Sequence, residues 1–569
     1  MKKHFITKHY KKLASAASML VVAAMLAACG NGGGAAPAAD PAPAPAPAAG
    51  GAAAAPAATP DAPAGRRITT GMQATAVQVF FDGDNYNENR WTRLIYDRLG
   101  IEVDVVFTAD TTTEAYETQM NMMLITGDIP DVVRWGDANW LVQAQSAGLL
   151  MDITDYFETY ARPEILAFRD YFPEAFAGVT FNGRLYGFPF LNDNFHAGQY
   201  LWIRDDWLEY AGGNPPTTIA EMVEMARLFT HGDPNGDGST TFGLGVHRDV
   251  LPASAAGTLT GLLSGFGVPS HGPGGIFFRD ANGQMTFSNT MPQVRYALEV
   301  VRDMYAEGLI DPEFVTMDGD SFSAAVSEGR YGMMFHRNWG TWHPFNLSFQ
   351  SDGVITRPFP VPVADGHVRR IGLPSNTLSE YFVISAAAPD VRAIIDILNL
   401  YYEIAVGFED EEIFMRYWDN EQYRLAPIFI GIPTELHAPA IFEAFEDGGA
   451  NITGVARQAW VWAQAFEDGA DDSPSAYGTW GQMHPGGTMA IALNTYRREG
   501  SLIDNLMAQD IPDIWLQNSS ILNTMVETMF TDIIRGTLPL DAFDTFVEQW
   551  MLNGGQQTLN DLDALLAGN

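Results

Sequence analysis

The chain has 569 residues, too many for one hydrophobic core, so two or more lobes or domains are expected. All five lysines stand in the first dozen residues, leaving 27 arginines against 69 acids over the rest. So acidic a surface argues against a nucleic-acid partner and opposes a polyanionic ligand unless arginines cluster locally; the single cysteine, Cys29, excludes an intramolecular disulfide.

Residues 1–28 carry no acid: a basic stretch to Lys12 precedes the uncharged, largely apolar run Leu13–Ala28. That is the form of a signal peptide, and the run is short for a spanning helix. It ends Leu26-Ala27-Ala28-Cys29-Gly30, which resembles a bacterial lipobox. The resemblance implies a diacylglycerol anchor on Cys29, and the position of the only cysteine favours this over an ordinary secretory signal. Residues 29–65 are almost entirely Gly, Ala and Pro, a composition that cannot build a core. They are expected to form a disordered, partly polyproline-II tether.

The folded part is expected to start near Ile68. Ala74–Phe81 predicts a strand, ending at Asp82-Gly83-Asp84-Asn85. A helix over Asn89–Leu99, a strand over Ile101–Phe107, a helix near Thr113–Thr126 and a short strand Asp131–Val133 follow. This alternation predicts an α/β lobe with a mainly parallel sheet. From Asn182 to Trp207 two apolar runs flank a polar loop of Asn192, Asp193, Asn194 and His196. Gly187 and Pro189 interrupt the first run, which fits an edge or crossing strand. Thr218 and Glu221 have capping-box spacing, and Ile219, Met222, Val223 and Ala226 share one helical face. Later elements are helices Val294–Glu307 and Asp320–Glu328, strand Gly332–Phe335, strand Glu380–Ser385, and a helix with Val391, Ile394, Ile395 and Leu398 on one face. Near the end, Phe543, Phe546, Val547 and Trp550 form an apolar face, and Gly554-Gly555 reads as a helix stop.

Five short stretches share one resemblance: Tyr186-Gly187-Phe188-Pro189, Trp202–Trp207, Leu124–Val133, Gly148–Thr154 and Phe530–Trp550. They resemble motifs of extracellular solute-binding protein family 1, in its lipoprotein branch serving oligosaccharide and alginate-type ABC importers. The resemblance implies an α/β, two-lobed, periplasmic-binding-protein-like fold of type II. Each lobe is a sheet flanked by helices, with a cleft between the lobes. One lobe is expected from residues 66–190 and 380–480, the other from 191–379 and 481–569. By the same resemblance the protein is not an enzyme. It captures a sugar or oligosaccharide and passes it to the permease subunits of an ABC importer. It acts as a monomer, lipid-anchored at the extracellular face of the cell membrane. Two other readings stay open: a secreted glycosidase or lyase using paired acids, and an adhesion or scaffold lipoprotein.

The motif search for enzymes is negative. There is no Gly-x-Ser-x-Gly elbow, no His-Glu-x-x-His and no phosphate-binding Gly-rich loop with its lysine. Asp233-x-Asn235-x-Asp237-Gly238-Ser239 opens like a calcium loop, with alternating oxygen donors and a glycine for the turn. Leu244 stands where a bidentate Glu belongs, so the candidate is a partial, structural Ca²⁺ site at Asp233, Asn235, Asp237 and Ser239, or a hydrated Asx-rich turn. Aromatic side chains in polar loops are the candidate ligand contacts, because sugars offer C–H faces for stacking and hydroxyls for hydrogen bonds. Trp339 with Trp342, and Tyr477 with Trp480, are expected in such loops, and Trp202 and Arg204 lie just past the crossing. Asp82, Asp84, Asn85, Trp135, Asp137 and Trp140 are expected beyond the carboxyl ends of strands, where ligands bind in α/β lobes. Core packing remains the alternative for each Trp, and a lobe-internal ion pair is an equal alternative for Arg204.

Overall fold

Strands form where short runs of Val, Ile and aromatic residues meet Gly, Pro or Asp. Two sheets hold nine of them: β1 Arg66–Ala74, β2 Ile101–Asp110, β3 Val132–Trp135, β4 Gly187–Pro189, β5 Tyr200–Arg204, β6 Phe242–Leu244, β7 Tyr331–His336, β8 Thr356–Phe359 and β9 Tyr381–Ile384. This computed structural model describes residues 66–74, 80, 83–110, 115–191, 198–251, 256–373, 380–407, 411–417, 419–508 and 511–568. The expected signal peptide, Cys29, the tether, Asp82 and the polar loop at 192–197 lie outside the described residues.

The first sheet has the order β2-β1-β3-β9-β4. β1 runs parallel to β2 and to β3, but β9 is antiparallel to both β3 and β4. The sheet is therefore only half parallel, because β9 re-enters it from the side of the crossings. The first strand is Arg66–Ala74, earlier than expected; most of the run 74–81 lies outside the described residues. β4 is an edge strand, where the missing N–H of Pro189 costs no ladder bond. Gly187 is needed there: a Cβ would stand 2.8 Å from the Phe382 carbonyl oxygen.

The second sheet has the order β8-β5-β7-β6. Its main supporting helix, Ile219–His231, opens with the anticipated capping box between Thr218 and Glu221. It buries Ile219, Met222, Ala226 and Phe229, each contributing roughly 1.5–3 kcal/mol if large and apolar. Gly243 of β6 lets the helix approach, since a Cβ would lie 2.3 Å from the Ala226 Cα.

Two separate apolar cores follow. One gathers Ile68, Val132, Val133, Val383 and Ile384 under the helix Val391–Gly407, which supplies Ile394, Ile395 and Leu398. The other gathers Tyr200–Ile203, Leu244 and Met333–Phe335. The helices Thr434–Asp447, Gly454–Glu467 and Pro474–Met483, expected with the first lobe, place Ile441, Ala463, Tyr477 and Trp480 in the second core. The chain crosses back between Ile430, which is in the first core, and Ala438, which is in the second. A Cβ on Gly431 would fall 1.7 Å from the Leu191 carbonyl oxygen, so this third crossing lies directly against the first. Near the C-terminus, Gly554 (φ 118°) turns the chain between the helix Ala542–Trp550 and the helix Gln556–Gly568. Among the described residues no helix is long and apolar enough to cross a membrane.

Candidate ligand-binding site

Strand register fixes which end of each sheet faces the crossings. β4 leaves the first sheet at Pro189, which pairs with Tyr381, and Tyr381 pairs in turn with Trp135. β5 enters the second sheet at Tyr200, opposite His336 at the end of β7, and Leu201 stands opposite Phe359 at the end of β8. Trp135 on one lobe and the segment after His336 on the other therefore sit at the two sheet ends that look toward each other.

The segment after β7 runs Arg337-Asn338-Trp339-Gly340-Thr341-Trp342. Its start is fixed from below. The fully buried Trp202 donates its indole N–H to the carbonyls of His336 (3.3 Å) and Arg337 (3.1 Å). His336 is buried, and burial pushes its imidazole down to about 3. Its Nδ1 accepts from the Arg337 backbone N–H at 2.6 Å, so Nε2 carries the proton and donates to the His343 carbonyl at 3.0 Å. Trp339 is half-buried, edge-on to His336 with ring centroids 4.4 Å apart. Trp342 is 39% exposed and lies over Gly478, where a Cβ would come within 2.5 Å of the indole. Two tryptophans thus stand at the rim with polar backbone between them.

The Arg337 side chain is mostly buried. Its Nη2 donates to His271 Nε2 at 3.2 Å, and its Nε meets no acceptor among the described residues. Burial lowers its pKa to about 10. His271 is neutral, pushed down to about 3 by burial and then by Arg337. Nothing in a single sequence separates a buried, acid-free arginine from a surface one, so Arg337 is not among the candidates read from the sequence.

On the facing lobe, Trp135 is half-buried against Tyr116 (5.4 Å), and its indole Nε1 has no acceptor among the described residues. Asp137 caps the helix Ala138–Ser146 by accepting from the Trp140 backbone N–H at 2.7 Å. Its carbonyl accepts from the Tyr381 hydroxyl. Beside them Arg134 pairs with Glu380 and stacks over Phe190 and Phe429.

Several expected contacts are structural instead. Trp202 is core, as is Trp140, whose indole N–H donates to the Met120 carbonyl. Arg204 lies at the opposite end of β5 from the crossing, ion-paired to Asp206 at 2.6 Å and stacked over Trp207. Tyr477 and Trp480 are not in a loop. They sit on the helix Pro474–Met483, with the Tyr477 hydroxyl bonded to the Thr356 backbone and the Trp480 indole to Glu467. Asp84 is enclosed by Arg90 (3.1 Å) and Arg93 (2.6 Å); burial acts to raise its pKa, but these hydrogen bonds outweigh it and hold the carboxyl below its usual range. Asn85 is exposed and spends its side-chain carbonyl on the backbone N–H groups of Asn87 and Glu88.

The loop from Asp233 to Ser239 is folded on itself. Asp233 accepts from Gly238 N–H, Asp237 from Ser239 N–H, and Asn235 Nδ2 donates to Ser239 Oγ. Asn235 Oδ1 already accepts from Trp207 Nε1 at 3.0 Å and from Arg204 Nη2 at 3.4 Å. Leu244, at the twelfth position, is buried in β6. The two carboxylates would supply part of the roughly six to eight oxygens calcium takes, and the Asn235 carbonyl, already engaged by Trp207 and Arg204, would have to turn to add another. Among the described residues no three of His, Cys, Asp and Glu converge.

An open groove of about 860 Å³ lies between the helices Asp513–Ile534 and Ala542–Trp550. Its surface is mostly apolar, from Ile521, Met525, Leu538 and Phe546 among others, with Ser, Thr, Asp541 and Gln549 side chains beside them; it lies on C-terminal helices away from the facing sheet ends, so it is not the candidate site.

A family of bacterial extracellular solute-binding proteins matches residues 87–403, more than half the chain. The chain belongs to that family. Its members are binding proteins rather than enzymes, and the two-lobed type II fold is theirs. The fructooligosaccharide ABC transporter substrate-binding protein FusA of Streptococcus pneumoniae serotype 4 is 23% identical over 289 residues, 49% of this chain and 52% of that protein. Lipoprotein LipO of Bacillus subtilis is 24% identical over 237 residues, 41% of this chain and 44% of that protein. The chain thus spans about half the length of the curated relatives it matches. Among solved structures, an HMO-binding, ABC-transporter-associated solute-binding protein from Bifidobacterium longum infantis superposes with a TM-score of 0.61 at 18% identity, covering 88% of this chain and 98% of that one. The alginate-binding protein AlgQ2, solved without calcium ion, gives 0.53 at 16% identity over 87% and 96%.

Proposed function

We propose that this family member captures a sugar or oligosaccharide between its lobes and hands it to an ABC importer. It does so as a monomer at the outer face of the membrane, held by a lipid on Cys29. The observation that carries the reading is the pairing of aromatic rims at facing sheet ends: Trp135 with its unpaired indole N–H on one side, Trp339 and Trp342 on the other. Rings of this kind stack on the C–H faces of pyranose or furanose rings, and polar backbone beside them meets the hydroxyls. The names of the relatives, several of them oligosaccharide binders, support the same ligand class. Closing the lobes over a ligand is driven by contacts that the open state lacks. A structural calcium at Asp233, Asn235, Asp237 and Ser239 would require the Asn235 carbonyl to leave Trp207 and Arg204, and solute capture itself has no step that uses the ion.

A thermal-shift screen of the full chain against oligosaccharides tests this. A ligand at a hundred times its Kd stabilises the fold by about 2.7 kcal/mol. Trp339→Ala is expected to weaken the best ligand at least tenfold, about 1.4 kcal/mol. A screen with no shift for any sugar rejects solute capture. New reducing ends or unsaturated products in the same incubations would establish an enzyme instead.

A further inference from the structure

In a chain with more than twice as many acids as bases, a mostly buried arginine without an acid stands out. Within the second lobe Arg204, Arg227, Arg279, Arg295, Arg330 and Arg369 each hold a carboxylate within ion-pair distance. Arg337 holds none among the described residues, and neither do Arg370, Arg457, Arg498 and Arg535, but Arg337 is mostly buried and stands at the sheet end that faces the first lobe. A buried cation left unpaired costs stability, so the vacancy is retained against a cost. Its only side-chain contact is the imidazole of His271, which is neutral, and the neighbouring His336 is neutral as well. Among the described residues nothing in contact supplies negative charge.

The location gives the vacancy a use. Arg337 follows the last residue of β7, at the sheet end facing the first lobe, two residues before Trp339 and five before Trp342. Nε is enclosed, but Nη1 makes no hydrogen bond among the described residues and is not among the enclosed atoms, so it leaves donors that a carboxylate can meet with charge-assisted hydrogen bonds. We infer that the solute carries a carboxylate, a uronic acid unit, which Arg337 binds while the adjacent tryptophans stack on the sugar rings. The chain's overall negative charge opposes a polyanion, so one or a few acidic units fit better than a long charged polymer. This inference rests on the solute-capture reading and narrows its ligand.

The test uses the full chain and a panel of aldouronic acids and short galacturonate and mannuronate oligomers. Each is paired with its carboxyl-reduced, neutral counterpart and titrated calorimetrically. The expected result is an acidic member bound at least tenfold more tightly than its reduced form. Arg337→Gln should bring that ratio to about one, and Arg337→Lys, which keeps the charge but not the fork, should leave it in between. The melting temperature of ligand-free Arg337→Gln should stay at or above that of the parent, because an uncompensated cation is removed. Neutral members binding as tightly as acidic ones, or a preference that survives in Arg337→Gln, would overturn the inference and leave sugar capture standing. A panel with no binding of either class, extended to neutral oligosaccharides, would overturn both.

Discussion

At the end of the second sheet away from the crossings, Arg204 is fully used. It pairs with Asp206, donates to the Gly329 carbonyl and Asn235, and lies over Trp207. At the crossing end, Arg337 has one contact to a neutral imidazole and no acid. The two arginines belong to adjacent, hydrogen-bonded strands or their ends, in the same lobe and the same acidic chain. The difference teaches where the molecule is finished and where it waits. A satisfied polar network holds a lobe together, whereas an unsatisfied one at a facing surface leaves capacity for a solute.

The comparison breaks most visibly at Arg204. Arg204→Met keeps the apolar stem over Trp207 but removes the cation from Asp206 and one of the two donors from each of the Gly329 carbonyl and the Asn235 carbonyl. The expected loss is about 2–3 kcal/mol in urea unfolding. No loss there, or a larger loss at Arg337→Gln, would reverse the roles assigned to the two ends.

Much of this architecture can be read from the residues. The capping box at Thr218, the interrupted edge strand at Gly187 and Pro189, and the helical face of Val391 to Leu398 all follow from spacing and steric rules, and all are present. The site was less legible. Trp202, Tyr477 and Trp339 are alike in sequence, each an aromatic near Gly or polar residues. Only strand register and burial show that two are core and one is rim. Arg204 suggested a ligand contact because it follows the crossing, but a five-residue strand carries it to the far end of the sheet. The helices from Thr434 to Met483 were misassigned because a third crossing of a few residues leaves almost no compositional mark; its signal is Gly431, needed only because Leu191 passes so close.

A second difference between the two ends concerns pH. His336 is held neutral at the crossing end: burial pushes its pKa far below the ordinary 6.5, outweighing the hydrogen bond to the His343 carbonyl that acts to raise it, and Arg337 adds to the lowering. A folded-state value below the unfolded one means that the unfolded chain takes the proton first as pH falls. Stability from this group is complete above about pH 6.5 and declines steadily toward pH 3. At about 1.4 kcal/mol per pH unit, the loss by pH 5 is roughly 2 kcal/mol. His336→Gln should show a smaller drop between pH 7 and pH 5 by about that amount, whatever its stability at pH 7. Equal drops in both proteins would mean that the imidazole is not the group being protonated.

The smallest effect expected is that of calcium at the far end. Asn235 would have to give up Trp207 and Arg204 to turn its carbonyl toward an ion, and the guanidinium beside it repels a divalent cation. Millimolar calcium should therefore move the melting temperature of the parent protein by less than about 1 °C. Arg204→Met removes both the repulsion and one competitor for Asn235, so its response to calcium should be the larger of the two. A shift of several degrees in the parent, absent when Asp233 and Asp237 are both changed to Asn, would show that the carboxylates recruit enough further oxygens to hold the ion, and that the Asn235 bonds to Trp207 and Arg204 are what the loop makes only without it.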